Sequence, residues 1–165
     1  MTDDAEREGL KVPNLSATAV CKLQEFVPIA GHSVKNPLDA FNALTNGKYF
    51  MRMMELLREE PRVDAVMYFQ MLDLFMRMGV TFFMDEIVPM TIEGAKELNK
   101  PFFLILEGSV SIEGETVRRE AQEKYHQSGI ATFQKFVEAA RVAYNLVKYW
   151  RYLRSVGRID SGARF

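Results

Sequence analysis

The sequence predicts a three-layer α/β domain built on a parallel sheet, and three observations carry that prediction. Phe102-Phe103-Leu104-Ile105-Leu106 is too short to span a membrane and too apolar for a half-exposed strand, so helices must cover both of its faces. Helical and extended stretches then alternate to the end of the chain, the pattern of parallel crossovers. The last helix repeats apolar residues at Phe136, Ala139, Ala140, Ala143, Val147, Trp150 and Leu153, an i, i+3, i+4 rhythm held for about five turns.

Taken in order, the chain opens with helical composition from Asp3 to Glu8, stopped by Gly9. Leu10 to Leu15 reads as a short edge strand, since Pro13 is tolerated only at an edge. Ser16 caps a helix through Phe26 with Ala19, Val20, Leu23 and Phe26 inward. The loop from Val27 to Asn36 leads to Pro37, which favours an extended approach. Asn46 or Thr45 caps a helix that buries Phe50, Met53, Met54 and Leu57 and ends before Pro61. Val63 to Phe69 reads as an inner strand and Met71 to Met78 as a short helix closed by Gly79. Val88 to Leu98 reads as a helix with Pro89 in its first turn and Ile92, Ala95 and Leu98 on one face. After the apolar strand, Val117, Ala121 and Tyr125 fall on one side of a helix that Gly129 stops, and Ile130 to Phe133 forms another inner strand. Residues 1–154 thus read as a single domain and 155–165, rich in Gly and Arg, as a flexible basic tail.

Composition narrows the function. With 21 basic and 22 acidic residues and a net charge of -1, nothing argues for nucleic acid or an anionic membrane as partner. Lys148, Arg151, Arg154 and Arg158 suit the negative end of the last helix. The single cysteine, Cys21, excludes an intramolecular disulfide and points to a reducing compartment, and its neighbours Ala19, Val20 and Leu23 predict a core thiol. No apolar run approaches the ~20 residues of a membrane span, and Met1-Thr2-Asp3-Asp4 is not a secretory signal, so the expected location is cytoplasmic. Nine of the ten methionines fall between Met51 and Met90, and the run around Leu74-Phe75 and Val80 to Met84 is more apolar than one helix–sheet contact needs, which would mark an interface if exposed.

Five segments in order carry a resemblance: Glu-Arg-Glu-Gly-Leu-Lys-Val-Pro-Asn-Leu-Ser at 6–16, Ser-Val-Lys-Asn-Pro-Leu-Asp at 33–39, Arg-Val-Asp-Ala-Val at 62–66, Lys-Pro-Phe-Phe-Leu-Ile-Leu-Glu-Gly at 100–108, and Gly-Ile-Ala-Thr-Phe with Ala-Ala-Arg-Val-Ala-Tyr-Asn-Leu-Val-Lys-Tyr-Trp-Arg-Tyr-Leu at 129–153. The chain resembles, over nearly its whole length, the last flavodoxin-like domain of the nucleoside-diphosphate-forming acyl-CoA synthetases, of the acetate–CoA ligase type and related to the C-terminal domain of the succinyl-CoA synthetase β subunit. The resemblance implies a reaction that interconverts acid, CoA and nucleoside triphosphate with acyl-CoA, nucleoside diphosphate and phosphate, through a phosphohistidine on a neighbouring flavodoxin-like domain. It further implies an ATP-grasp domain for nucleotide and Mg, a Rossmann-like domain for CoA, and a helix N-terminus of this domain facing the phosphohistidine. Unpaired N–H groups at the positive end of a helix bind phosphate, and glycines let the anion approach the backbone.

Two departures matter. The family pattern begins with an apolar strand and a Gly-Gly-Pro-Gly-like turn, and this sequence starts after both, so a sheet without its first strand is expected. The strand matching Val63 to Phe69 runs into a paired glycine in the succinyl-CoA branch but into Gln70-Met71-Leu72-Asp73 here, where Asp73 would repel phosphate; likewise Phe41-Asn42-Ala43 lacks the glycines common in relatives. No cofactor is therefore expected to be held by this chain alone, and no metal site or catalytic residue of its own is predicted.

Candidate residues of a substrate or phosphate loop are Asn36 and Asp39, matching the family's Asn-x-x-Asp, a spacing that also suits a capped turn. Glu107 and Gly108 follow the central strand at the edge where open α/β sheets bind ligands, although Gly108 could serve only to permit the turn. His32 lies between Gly31 and Ser33 in a loop that would suit a phosphate carrier, whereas the family's reactive histidine belongs to another domain. His126 is expected on the solvated side of its helix, and Glu115, Glu120 and Glu123 show no catalytic pairing. Three readings stay open: a subunit or domain completing a ligase site shared with other domains or subunits, with a homo-oligomer as a further partner; a degenerate structural or interaction module; and, least supported for want of a phosphate loop, a flavin or nucleotide binder.

Overall fold

The computed structural model describes residues 1–28, 30–41, 45–77 and 83–159. Its sheet has three parallel strands in the order β1-β2-β3: β1 Val66–Gln70, β2 Phe102–Leu106 and β3 Thr132–Phe133. The apolar run is the middle strand, as its composition requires, and Leu104, Ile105 and Leu106 are fully buried. Val63 to Phe69 and Ile130 to Phe133, read as inner strands, instead supply the two edges of this sheet. Each is also shorter at its start: β1 begins where the Val66 N–H meets the Pro101 carbonyl, and Ile130 packs as core before β3.

Helices lie on both faces, because alternate residues of β2 point opposite ways. Tyr68, Leu104 and Leu106 face the larger core, shared with α2 (Ala17–Gln24), α3 (Gly47–Glu59), α5 (Val88–Leu98) and α6 (Ile112–Gln127). Phe103 and Ile105 face Ala139 and Ala143 of α7 (Phe136–Ser155), with Met67, Phe69 and Leu10 packed beside them. The short α1 (Thr2–Arg7) lies against α7, and α4 (Leu72–Arg77) follows β1. The fold is α/β and flavodoxin-like.

The caps explain the helix boundaries. Ser16 Oγ accepts from Ala19 N–H, Asn46 accepts from Tyr49 N–H, and Ser111 accepts from Gly114 N–H, each meeting one of the donors that a helix start leaves over. At α1 the chain turns with Gly9 at φ 93°, and the Leu10 N–H reaches back to the Ala5 carbonyl. α3 buries Phe50, Met53, Met54 and Leu57 as its rhythm predicts, and Leu56 besides. A π-helical turn, Phe83–Ile87, leads into α5.

Several expectations need correcting. Leu10 to Leu15 forms no strand; its polar groups serve side chains instead, with Pro13 C=O accepting from Asn36 Nδ2 at 2.9 Å and Asn14 C=O from Arg62. Cys21 is exposed, because two residues from both Ala19 and Leu23 is the opposite side of a helix. Asn36–Pro37 is cis, and an antiparallel bridge joins Ser33 and Asp39 where a simple extended approach was expected. α5 buries Val88, Thr91, Gly94 and Leu98, so its inner face is centred on two residues that are not apolar. A Cβ at Gly94 would lie 2.5 Å from the Phe50 ring, so this contact between α3 and α5 depends on the missing side chain. Burial along α7 stops at Ala143, although its apolar rhythm continues to Leu153. Gly79, Asn42 and Ala43, the run Val80 to Phe82 and the tail from 160 to 165 lie outside the described residues; Ser155 ends α7, and the Arg158 N–H closes it on the Leu153 carbonyl.

Candidate half-site at the carboxyl edge of the sheet

Because all three strands run the same way, their carboxyl ends line one edge, where open α/β sheets bind ligands. An open groove of about 450 Å³ lies there between Phe69 of β1, Glu107 after β2, and Gln134, Lys135 and Phe136 at the start of α7, with Asp4 of α1 at its margin. Lys135 is the N-cap of α7 and has no side chain capping the helix. The groove therefore combines the positive end of a 20-residue helix and a lysine with the Glu107 carboxylate. Such a combination can orient an anionic group, but it holds no nucleophile paired with a base.

The loop after Glu107 uses its Val110, Ser111 and Gly114 N–H donors internally. Asp73, in the first turn of α4, accepts from the Ser109 hydroxyl and, through its other oxygen, from the Val110 N–H at 3.1 Å. The Ser111 N–H is taken by Ser109 Oγ at 3.2 Å and the Gly114 N–H by Ser111 Oγ at 3.0 Å. A Cβ at Gly114 would lie 2.1 Å from Ser109 Oγ, so the turn can close this tightly only on glycine. The Ser109 hydroxyl and then the Val110 N–H hold the Asp73 carboxyl below the usual range. Asp73 thus fills the place where an external anion would meet the loop, and the residues present do not fit a phosphate cradle on their own.

A second groove, of about 420 Å³, is bounded by Ser109, Ile112, Glu115 and Arg119. Glu115 receives both forks of the buried Arg118 guanidinium, at 2.7 and 2.8 Å, and a further bond from Arg119. The Arg118 hydrogen bonds chiefly, and Arg119 after them, outweigh burial and push the Glu115 carboxyl down to about 2. This ion pair fixes the first turns of α6 beneath the loop. On its outside, Val110 and Ile112 stand 83% and 90% exposed, an uncommon place for two apolar side chains.

Among the predicted site residues, Glu107 lies in the first groove and Gly108 beside it. Gly108 is not a steric requirement: open space surrounds its Cβ direction, and its φ is outside the left-handed region. Asn36, Asp39 and His32 do not line either groove. Asn36 ties its loop to Pro13, Asp39 pairs through its backbone with Ser33, and His32 Nδ1 lies 3.0 Å from the Ala30 carbonyl. His126 is exposed, with Nε2 at 2.9 Å from Thr132 Oγ1. Sequence reasoning missed the Asp73 latch and Lys135. A serine followed by Glu113 and Glu115 was a readable cap signal for Ser111, whereas the meeting of Asp73 with Ser109, 36 residues on, had none.

Replacing Asp73 with alanine is expected to destabilise the chain by about 1–2 kcal/mol at neutral pH through loss of two charge-assisted bonds. Because its folded pKa is depressed, that contribution is complete above the unfolded value and disappears as the pH falls through the folded one. Urea midpoints of the two proteins at neutral and acid pH measure it; equal midpoints at neutral pH would show that the latch carries no stability.

The chain is similar to known proteins in sequence and in fold. Acetate–CoA ligase [ADP-forming] II subunit alpha of Pyrococcus furiosus is 31% identical over 149 residues, which is 88% of this chain and 30% of the relative. The crystal structure of PH0766 from Pyrococcus horikoshii OT3 superimposes with a TM-score of 0.68 at 24% identity, covering 91% of this chain and 32% of that one. That likeness establishes a shared fold. No family model matches the sequence. The chain spans about a third of the length of either relative.

Proposed function

This chain carries a domain of the NDP-forming acyl-CoA synthetases, and from that premise we propose that it completes a ligase active site whose other parts lie on other domains or subunits. The reaction is formation of acyl-CoA from acid, CoA and nucleoside triphosphate, with release of nucleoside diphosphate and phosphate. The observation that carries the reading is the match to a ligase subunit along 88% of this chain. An ATP-grasp domain would hold nucleotide and Mg, a Rossmann-like domain CoA, and a neighbouring flavodoxin-like domain the phosphohistidine. The complex would be cytoplasmic, and no helix among the described residues is long and apolar enough to cross a membrane.

Within that assembly this domain contributes the groove of Glu107, Lys135 and the α7 N-terminus. Lys135 and the helix end favour a negative group; Glu107 repels one that approaches on its side and so selects its orientation. The exposed Val110 and Ile112 fit a face that a second domain covers. Phosphate transfer by the isolated chain is not part of the proposal, since the Val110, Ser111 and Gly114 amides are occupied from within.

A second reading is favoured by that same internal occupation: a relative that keeps the scaffold as a structural or interaction module. Thioester formation from ATP, CoA and a panel of carboxylic acids separates the two, measured with the chain alone and with candidate partner subunits added. The expected result is no turnover alone and turnover in the mixture, reduced about tenfold by Lys135→Glu, equivalent to ~1.4 kcal/mol of transition-state stabilisation. Turnover by the isolated chain overturns the shared-site proposal; a folded chain inactive with every partner leaves the structural module as the reading.

A further inference from the structure

β1 has the composition of an inner strand and the position of an edge. Val66-Met67-Tyr68-Phe69-Gln70 holds no charge and no proline, the devices that ordinarily blunt an edge. The ladder fixes which of its backbone groups are in use. The Val66 N–H reaches the Pro101 carbonyl, so in the parallel register of Val66 with Phe102 it is Val66, Tyr68 and Gln70 that turn their backbone groups toward β2. Met67 and Phe69 turn theirs the other way, off the sheet. Among the described residues no backbone or side-chain group bonds to them there, and both residues are only half-buried.

α1 shows which way a strand laid on this edge would run. In a parallel sheet the helix that follows a strand starts at the carboxyl edge, as α7 does after β3. α1 starts there too: Met1 and Asp4 share the groove with Phe69 of β1 and Phe136 of α7, and Glu8 beyond the far end of α1 meets Arg141. Leu10 then joins Met67 and Phe69 around the small core on that face. α1 is thus placed as a crossover helix on the β1 side of α7, and a strand beneath it would lie parallel to β1. Both faces of such a strand are covered, which requires it to be apolar throughout. Two copies joined by a two-fold axis across this edge would pair antiparallel and do not match that helix order. We propose that the outer edge of β1 is completed by a short apolar strand of a partner polypeptide, parallel to β1 and bonded to the backbone of Met67 and Phe69. The pairing depends on β1 alone and stands independently of the thioester reading.

The test uses the whole chain and a labelled peptide of about five alternating Val and Ile residues between polar ends. Fluorescence anisotropy should show it binding. Two N-methylated versions each block one alternating set of its amides, of which one set faces β1 and the other solvent. One version should lose affinity about tenfold or more, and the other should keep it. Hydrogen exchange followed by NMR reads the other partner: the Met67 and Phe69 amides should exchange fast in the chain alone and slowly with peptide, while Tyr68 is protected in both. A nitroxide at the peptide's carboxyl end should broaden the Gln70 amide more than that of Ala65. The proposal is overturned if the peptide does not bind, if the two methylated versions behave alike, or if the nitroxide lies at the Ala65 end. It is overturned as well if the Met67 and Phe69 amides are protected in the chain alone, as a dimer through this edge would make them.

Discussion

Replacing Glu60 with alanine is expected to destabilise the fold by about 3 kcal/mol at neutral pH, mostly through donors left without an acceptor. Glu60 ends α3 and is only 2% exposed. Its carboxylate accepts from the Ser16 N–H at 2.9 Å, the Ser16 hydroxyl at 2.6 Å and the Arg62 N–H at 3.1 Å. Ser16 Oγ in turn caps α2, so one carboxylate fixes the start of α2 against the end of α3. Burial acts to raise the Glu60 pKa, but the Ser16 and Arg62 bonds prevail and lower it below 4.5. The contribution is therefore fully present above about pH 4.5 and is lost as the pH falls through the lower folded value. Urea denaturation of the wild type, Glu60→Ala and Glu60→Gln measures this, the glutamine variant retaining acceptor and volume and losing less. A loss below about 1 kcal/mol for Glu60→Ala at neutral pH, within the range of one ordinary hydrogen bond, would falsify the account.

Gln70→Leu is expected to cost about 2–4 kcal/mol although leucine fills nearly the same space. Gln70 is completely buried at the end of β1; its Nε2 donates to Thr91 Oγ1 and its Oε1 accepts from the Tyr125 hydroxyl, both at 3.0 Å. Burial pushes the Tyr125 phenol up to about 12, so it stays a neutral donor across the ordinary pH range. Leucine strands both hydroxyls in the core. Removing all three polar groups together, as Gln70→Leu, Thr91→Val and Tyr125→Phe, should recover most of the loss, since the two hydroxyls that lose Gln70 are then gone as well, while the neighbouring Tyr68 hydroxyl is buried without a partner to begin with. If the triple variant is no more stable than Gln70→Leu alone, the penalty is one of shape and the hydrogen-bond explanation fails.

Both sites show which parts of this molecule sequence could convey. β2 was legible because five consecutive apolar residues admit one environment, and α3 because Phe50, Met53, Met54 and Leu57 repeat at helical intervals. Local caps such as Ser16 and Asn46 were equally readable. Edge positions were not: apolar residues in β1 and Ile130 resemble those of an inner strand, and only the pairing order distinguishes them. The position of Glu107 at the groove followed from its place after β2. What determines the chemistry there did not, because Asp73 meets Ser109, and Lys135 shares a groove with Glu107, only across separate connections of the sheet, and a carboxylate read locally as repelling phosphate acts as the loop's own anion.

The clasp between α1 and α7 also bears on how the chain is made. Glu8 and Arg141 are 133 residues apart, and the Tyr144 ring lies against the turn at Gly9. A six-residue helix has little stability of its own in water. At ribosomal elongation rates of about 5–20 residues per second, α1 emerges on the order of ten seconds before α7, the helix it packs against among the described residues, exists. One layer of this domain is consequently assembled last, from its two most distant segments. Until then Ala5 and Leu10 remain available to chaperones on the nascent polypeptide.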